Sequence, residues 1–213
     1  MSNFPDFADL DDWFNASEAV RKKEKGLAIA FAFYAPKNRK KLVLLGIPAF
    51  CHTLLCECDP DIARYEPIRL YENRSGRMRQ AAQMFYRDGR VETWVFAWEQ
   101  PKDQAISFKN WNEAVIWKSA EGLENKKILI SNWIRLRAFM AAARGLSTLQ
   151  ERRIMHAQLD WHSATTMRNL VFAGGADYGL MAAEVGHALA MRRVISDLEN
   201  KRLSLSTVIG RPT

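Results

Sequence analysis

The stretch Arg79-Gln80-Ala81-Ala82-Gln83-Met84-Phe85-Tyr86-Arg87-Asp88-Gly89-Arg90-Val91-Glu92-Thr93-Trp94-Val95-Phe96-Ala97-Trp98 decides the fold class. Two apolar, aromatic-containing runs flank an Asp-Gly pair, which readily supplies the left-handed backbone that a tight turn needs. The spacing predicts antiparallel strands over 79–87 and 91–98. Working upstream, residues 50–58 read as a helix closed by Asp59-Pro60-Asp61, and 62–70 as extended chain. Earlier still, residues 27–34 read as a buried strand and 36–41 as a basic turn, with a short amphipathic helix over 15–25. Downstream, 112–123 reads as a helix and 127–132 as a short strand.

From residue 134 the pattern turns helical, over 134–144, 148–157, 163–172 and 178–193, with Gly174-Gly175 separating the last two. Residues 194–198 and 203–209, divided by Glu199-Asn200-Lys201-Arg202, read as a two-stranded wing. The chain thus passes from mixed α/β to helix plus wing near residue 140, without internal repeats.

Composition narrows the function class. A chain of 213 residues, 48% hydrophobic and with seven Trp, buries a core. Its charge of +7 and pI near 9.4 point towards a polyanionic partner met through phosphates. Residues 1–16 are acidic and aromatic and lack the basic start and apolar run of a secretion signal. No apolar stretch approaches bilayer length. Three cysteines, Cys51, Cys56 and Cys58, crowd one segment, which speaks against a disulfide framework and for a reducing compartment. Together these lead to the expectation of a soluble, cytoplasmic protein.

Candidate chemistry is sparse. Cys51, His52, Cys56 and Cys58 carry zinc-type donors, but no second ligand pair follows on a separate element, and the set reads as core packing. His156, His162 and His187 have neither a nucleophile beside them nor metalloprotease spacing. The hairpin holds the informative comparison. Restriction-type nucleases place a carboxylate on one strand and a Glu-x-Lys or Gln-x-Lys on the next, because residues i and i+2 share a face and reach one metal. Here the second strand offers Val95-Phe96-Ala97.

The run Leu54-Leu55-Cys56-Glu57-Cys58-Asp59-Pro60-Asp61-Ile62-Ala63-Arg64-Tyr65-Glu66-Pro67 resembles the helix-to-strand passage of TnsA-like transposon endonucleases, and Tyr86-Arg87-Asp88-Gly89-Arg90-Val91-Glu92 resembles the hairpin turn that follows it. Lys127-Ile128-Leu129-Ile130-Ser131 is similar to a later strand of that domain, and residues 178–209 to its winged-helix tail. The resemblance implies an α/β fold: a restriction-endonuclease-like mixed sheet core with helices, then a helical winged-helix-like C-terminal module. It divides the chain into an acidic aromatic segment (1–20), a nuclease-like core (21–140) and the helical module (141–213). The family's catalytic positions fall near Ala49, Ala81, Val95 and Ala97, none of which offers the oxygen ligands that a divalent ion requires.

The expectation is therefore a non-catalytic, DNA-associated subunit of a transposition or related complex, without metal or cofactor and without membrane attachment. Phosphate contacts are assigned to Lys37, Arg39, Lys40 and Lys41, and to Arg168, Arg192, Arg193, Lys201 and Arg202, with little sequence preference. Each cluster also fits a solvated face. Phe4, Phe7, Leu10, Trp13 and Phe14 are assigned to docking a protein such as a transposase or ATPase subunit. Two rivals stand beside this reading. One is a stand-alone winged-helix regulator, weakened because residues 178–190 offer no Arg, Lys, Asn or Gln to read bases. The other is an active endonuclease with displaced carboxylates among Glu57, Asp59, Asp88 and Glu92.

Overall fold

The computed structural model describes residues 30–101 and 106–212. The aromatic set Phe4, Phe7, Leu10, Trp13 and Phe14, and the helix expected over 15–25, lie outside them. The described chain is mixed α/β, with a four-stranded mixed sheet and several helices. It separates into two compact units, residues 1–57 with 61–127, and residues 58–60 with 128–213. The division falls before the expected boundary at 140, so residues 128–140 belong with the C-terminal unit.

In the first unit, β1 (Ala30–Ala35) and β2 (Lys40–Leu45) form a separate antiparallel hairpin. The expected buried strand is there, but it is only part-buried along most of its length. Gly46, at φ 88°, turns the chain into helix α1 (Ile47–Cys58). Pro48 is tolerated there because the first turn of a helix has no internal partner for its missing N–H. Asp59-Pro60-Asp61 follows the helix, and β3 (Ile62–Tyr71) begins directly after it.

The hairpin forms as its sequence dictates. β4 (Met78–Tyr86) and β5 (Val91–Ala97) pair Ala82 with Trp94 and Met84 with Glu92. Gly89 takes φ 89° and the Asp88 carboxylate accepts from the Arg90 N–H at 2.9 Å. Strand alternation then sorts the core. Ala82, Met84, Trp94 and Phe96 pack with Ala49, Cys56, Ile62 and Tyr65 on the α1 side, whereas Ala81 and Val95 pack with Leu70 and Phe108 on the opposite side. The last strand, β6 (Ile116–Ser119), runs parallel to β5 and completes the order β3-β4-β5-β6. The helix expected over 112–123 is thus corrected to a strand. Val115 and Trp117 pack against the Val95 cluster.

The second unit opens with α2 (Lys127–Ala142), led in by a single 3-10 turn over Glu124–Lys126. The short strand expected over 127–132 is corrected by this helix. Leu129, Ile130, Trp133, Leu136 and Met140 fall on one buried helical stripe, and that burial outweighs the β preference of the two isoleucines. Next come α3 (Leu149–Trp161), β7 (Ala164–Thr166), α4 (Met167–Ala173), α5 (Tyr178–Ala190), β8 (Ile195–Ser196) and β9 (Val208–Gly210). The two strands expected over 194–198 and 203–209 pair in part, as β8 with β9, and β7 adds to the other edge of β9 to give the order β7-β9-β8. The helix expected over 163–172 accordingly starts only at Met167, capped by the Thr166 hydroxyl.

α2 lies across α5. A Cβ at Gly186 would stand 2.9 Å from the Met140 sulfur, and one at Gly179 would stand 3.5 Å from the Phe139 ring. The small residues of α5 therefore serve close helix approach, and Met140, Ala143 and Ala183 share a cluster with Phe139 and Leu180. The loop between β8 and β9 is tied to α2 by Asn132. Its amide donates to the Leu198 and Lys201 carbonyls at 2.8 and 2.7 Å and accepts from the Leu203 N–H at 2.7 Å.

Candidate functional site

In the first unit the corner to inspect is the α1 side of the hairpin. Glu57 is the sole acid of α1, and it is fully buried. Its carboxylate accepts from the Tyr65 hydroxyl at 2.6 Å and from the Lys37 backbone N–H at 3.3 Å. Glu92, on β5, accepts from the Tyr86 hydroxyl at 2.7 Å, the Trp94 indole at 2.9 Å and Arg90 at 2.5 Å. Burial acts to raise the Glu92 pKa. The indole and phenol donors, with Arg90 and Lys118, outweigh it and hold the carboxyl below the ordinary range. Both acids are thus committed to internal donors. Asp88 serves the turn, while Asp59 and Asp61 flank Pro60.

The four positions carried over from the nuclease comparison do not converge. Ala49 packs on the α1 side of the sheet, whereas Ala81 and Val95 lie on the other face, and Ala97 shares the alternation of Val95. Ala49 belongs to α1 and packs against the opposite face of the sheet from Ala81 and Val95, so the four positions do not line a single pocket. An open groove of about 650 Å³ is lined by Asn73, Gln100 and residues between 106 and 117, with Glu113 the sole titratable lining residue among the described residues. The cysteine set does not assemble either. Cys51 is buried, and its thiol is pushed up to about 12 by that burial, which opposes a metal-binding thiolate. Cys56 donates to the His52 carbonyl at 3.1 Å. Among the described residues no three His, Cys, Asp or Glu side chains are grouped to hold a metal ion.

The basic turn between β1 and β2 divides in two. The Lys37 ammonium donates to the Cys56 and Ile62 carbonyls at 2.7 and 2.8 Å, so it fastens the end of α1 to the start of β3. That internal duty corrects its assignment as a phosphate contact. Asn38 pairs with both backbone groups of Tyr65, at 2.6 and 3.0 Å. The turn so held presents Arg39, Lys40 and Lys41, all exposed, with Arg39 at φ 53°.

The larger positive excess lies in the second unit. Residues 58–60 and 128–213 carry eleven Lys and Arg against seven Asp and Glu, compared with twenty against seventeen in the longer first unit. Arg168 is exposed on α4, and Arg192 and Arg202 are exposed at the two ends of the β8 region. Lys201 is exposed and pairs with Asp197 at 3.0 Å, a surface ion pair of small energy. Arg193 reaches Glu184 at 3.5 Å.

Glu184 and Arg152 are the functional candidates that sequence reasoning missed. Glu184 is fully buried in α5 and accepts from Thr148, Arg152 and Arg193. The signal was present as one carboxylate in a helix whose other ionisable side chains are Tyr178 and His187. Its partners come from residues 148, 152 and 193, and sequence spacing gives no hint of that meeting.

No described helix is long and apolar enough to cross a membrane. No family model, curated protein or solved structure matches this chain.

Proposed function

We propose that the chain is a non-catalytic, DNA-associated subunit of a transposition or related DNA-processing complex, with a TnsA-like, restriction-endonuclease-like core and a winged-helix-like tail. One observation supports the reading: the order and pairing of elements in each unit. The first runs from a helix through three antiparallel strands to a parallel fourth. After α2, the second runs helix, strand, helix, helix, strand, strand, with the last strand in the middle of the sheet. The concentration of positive charge in the second unit supports a nucleic-acid partner.

How the tail meets DNA follows from α5. This helix holds the place of a recognition helix, yet Met181 to Gly186 are all buried, partly under α2. A helix so covered has no row of side chains to lay in a major groove. The grip is then on phosphates, through Arg168, Arg192, Lys201 and Arg202, with Arg39, Lys40 and Lys41 a separate basic set on the first unit. The same burial disfavours the stand-alone regulator, which needs base readout.

The test has two arms. Supercoiled plasmid incubated with Mg²⁺ or Mn²⁺ is expected to stay intact, and nicking lost in Glu57→Ala or Glu92→Ala would establish the endonuclease instead. Duplex binding measured against salt is expected to fall steeply and to ignore sequence. Removing Arg39, Lys40 and Lys41 together should flatten the slope by up to about 0.9 per lost contact. Salt-independent binding, or strong preference for one site, would overturn the phosphate-driven reading.

A further inference from the structure

We propose that Arg152 and Arg193 form a phosphodiester clamp, shaped by the buried carboxylate of Glu184, with which the second unit grips the backbone of duplex DNA; the proposal rests on the DNA-associated reading above. Glu184 sits among Ala, Gly, Leu, Met and Val on α5, with His187 one turn on, and none of its surface is exposed. A buried ion pair adds no more stability than apolar residues of the same volume. Packing alone therefore gives no reason for an acid at this position. What the acid supplies is geometry.

One carboxylate oxygen accepts from Arg152 Nε at 2.8 Å and from Arg193 Nη2 at 3.5 Å. The other accepts from the Thr148 hydroxyl at 2.8 Å and from Arg152 Nη2 at 3.3 Å. Sharing one oxygen brings the two guanidinium groups side by side. Two positive charges meet one negative charge, so a net positive charge remains. It is also accessible, because the two arginine side chains keep 44% and 35% of their surface exposed while Glu184 keeps none. Arg152 Nη1, with Nε and Nη1 of Arg193, takes no part in holding Glu184.

The chain bends to make this arrangement. Arg192 takes φ 58°, a backbone state that favours glycine, and the Arg193 N–H returns to the Ala188 carbonyl at 2.8 Å. The turn brings Arg193 back over α5, towards Glu184. Guanidinium groups fixed beforehand lose little freedom when a ligand arrives, and their forked N–H groups match the paired oxygens of a phosphodiester. The eleven-to-seven excess of basic residues in the second unit favours a polyanion over a single acidic side chain.

The experiment uses the full chain, a fluorescein-labelled duplex of arbitrary sequence, and anisotropy titrations at several NaCl concentrations. Arg152→Ala and Arg193→Ala should each weaken binding about tenfold and lower the salt slope by about 0.9. Glu184→Gln separates the clamp from simple charge. It removes a negative charge, so an account based on net charge alone gives tighter binding, whereas loss of the tether gives weaker binding with a nearly unchanged slope. Circular dichroism and thermal melts check folding, and Arg193→Ala, at the rim, decides the matter if Arg152→Ala fails to fold. Folded arginine variants with the parent's slope, tighter binding by Glu184→Gln, or displacement of DNA by polyglutamate below the concentration of competing duplex would each overturn the clamp. If the parent itself does not bind duplex, the DNA-associated reading falls first and the clamp with it.

Discussion

Replacing Tyr65 with Phe removes one oxygen from a fully buried site. The Tyr65 ring and Glu57 are both fully buried, and the hydroxyl donates to the carboxylate at 2.6 Å. The ring still fills its place in the core, so the cost is confined to the lost bond. A hydrogen bond to a charged group contributes about 1.5–3 kcal/mol, and Glu57 has no exposed surface through which bulk water could replace it. At about 3 °C per kcal/mol for a chain of this length, Tm should fall by roughly 4–9 °C. Chemical denaturation of the parent, Tyr65→Phe, Glu57→Leu and the double variant closes a cycle that isolates the pair, with an expected coupling of about 1.5–3 kcal/mol. A coupling below about 0.5 kcal/mol would refute the view that Glu57 is spent on fastening α1 to β3. Plasmid nicking on the same proteins covers the enzymatic alternative, since an acid serving a metal would register there.

Other outcomes follow from the same packing. Burial first, then Lys118, lowers the His52 pKa against the opposing hydrogen bond to the Ser119 carbonyl at 2.7 Å. The unfolded chain therefore binds more protons below pH of about 6.5, so stability should fall as pH drops through that value. His52→Gln should flatten the dependence, as read by urea midpoints at pH above and below it. Asn132→Ala strands two carbonyls and an N–H, and should cost on the order of 3 kcal/mol and expose residues 198–203 to limited proteolysis. Gly186→Val drives its side chain into Met140 and should cost about 1–3 kcal/mol in melts, whereas Trp161→Ser, at a position 85% exposed, should change stability by less than about 0.5 kcal/mol.

Local chemistry made the first half of the sheet legible. Asp88-Gly89 and the flanking runs specified β4 and β5, and Pro60 marked the break between α1 and β3. What escaped depends on distant partners. Ile116 to Ser119 becomes a strand because β5 offers it a parallel edge, and Ile128 to Ile130 become helical because their stripe is buried. The same holds for the sites. Basic residues can be counted from the sequence, but only the fold separates Lys37, which secures α1, from Arg39, Lys40 and Lys41 beside it. Alternation along β4 and β5 turned Ala81 and Val95 to the face away from α1 and its Ala49, although the nuclease resemblance had grouped them.

The parallel pairing of β5 with β6 also shapes how the chain reaches its native state. β3, β4 and β5 are neighbours in sequence as well as in space, joined by short turns, so this meander closes on local contacts. β6 must return across residues 98–115 before its first hydrogen bond forms, and that ordering cost falls before any gain. The meander should therefore assemble early, with β6 docking in a later step. Until then the edge of β5, with Trp94 to Ala97 buried in the finished protein, stays open to other chains. Refolding at high protein concentration should accordingly lose material to aggregation, and substitutions in β6, such as Trp117→Ala, should enlarge that loss more than equally destabilising changes in the α2–α5 contact.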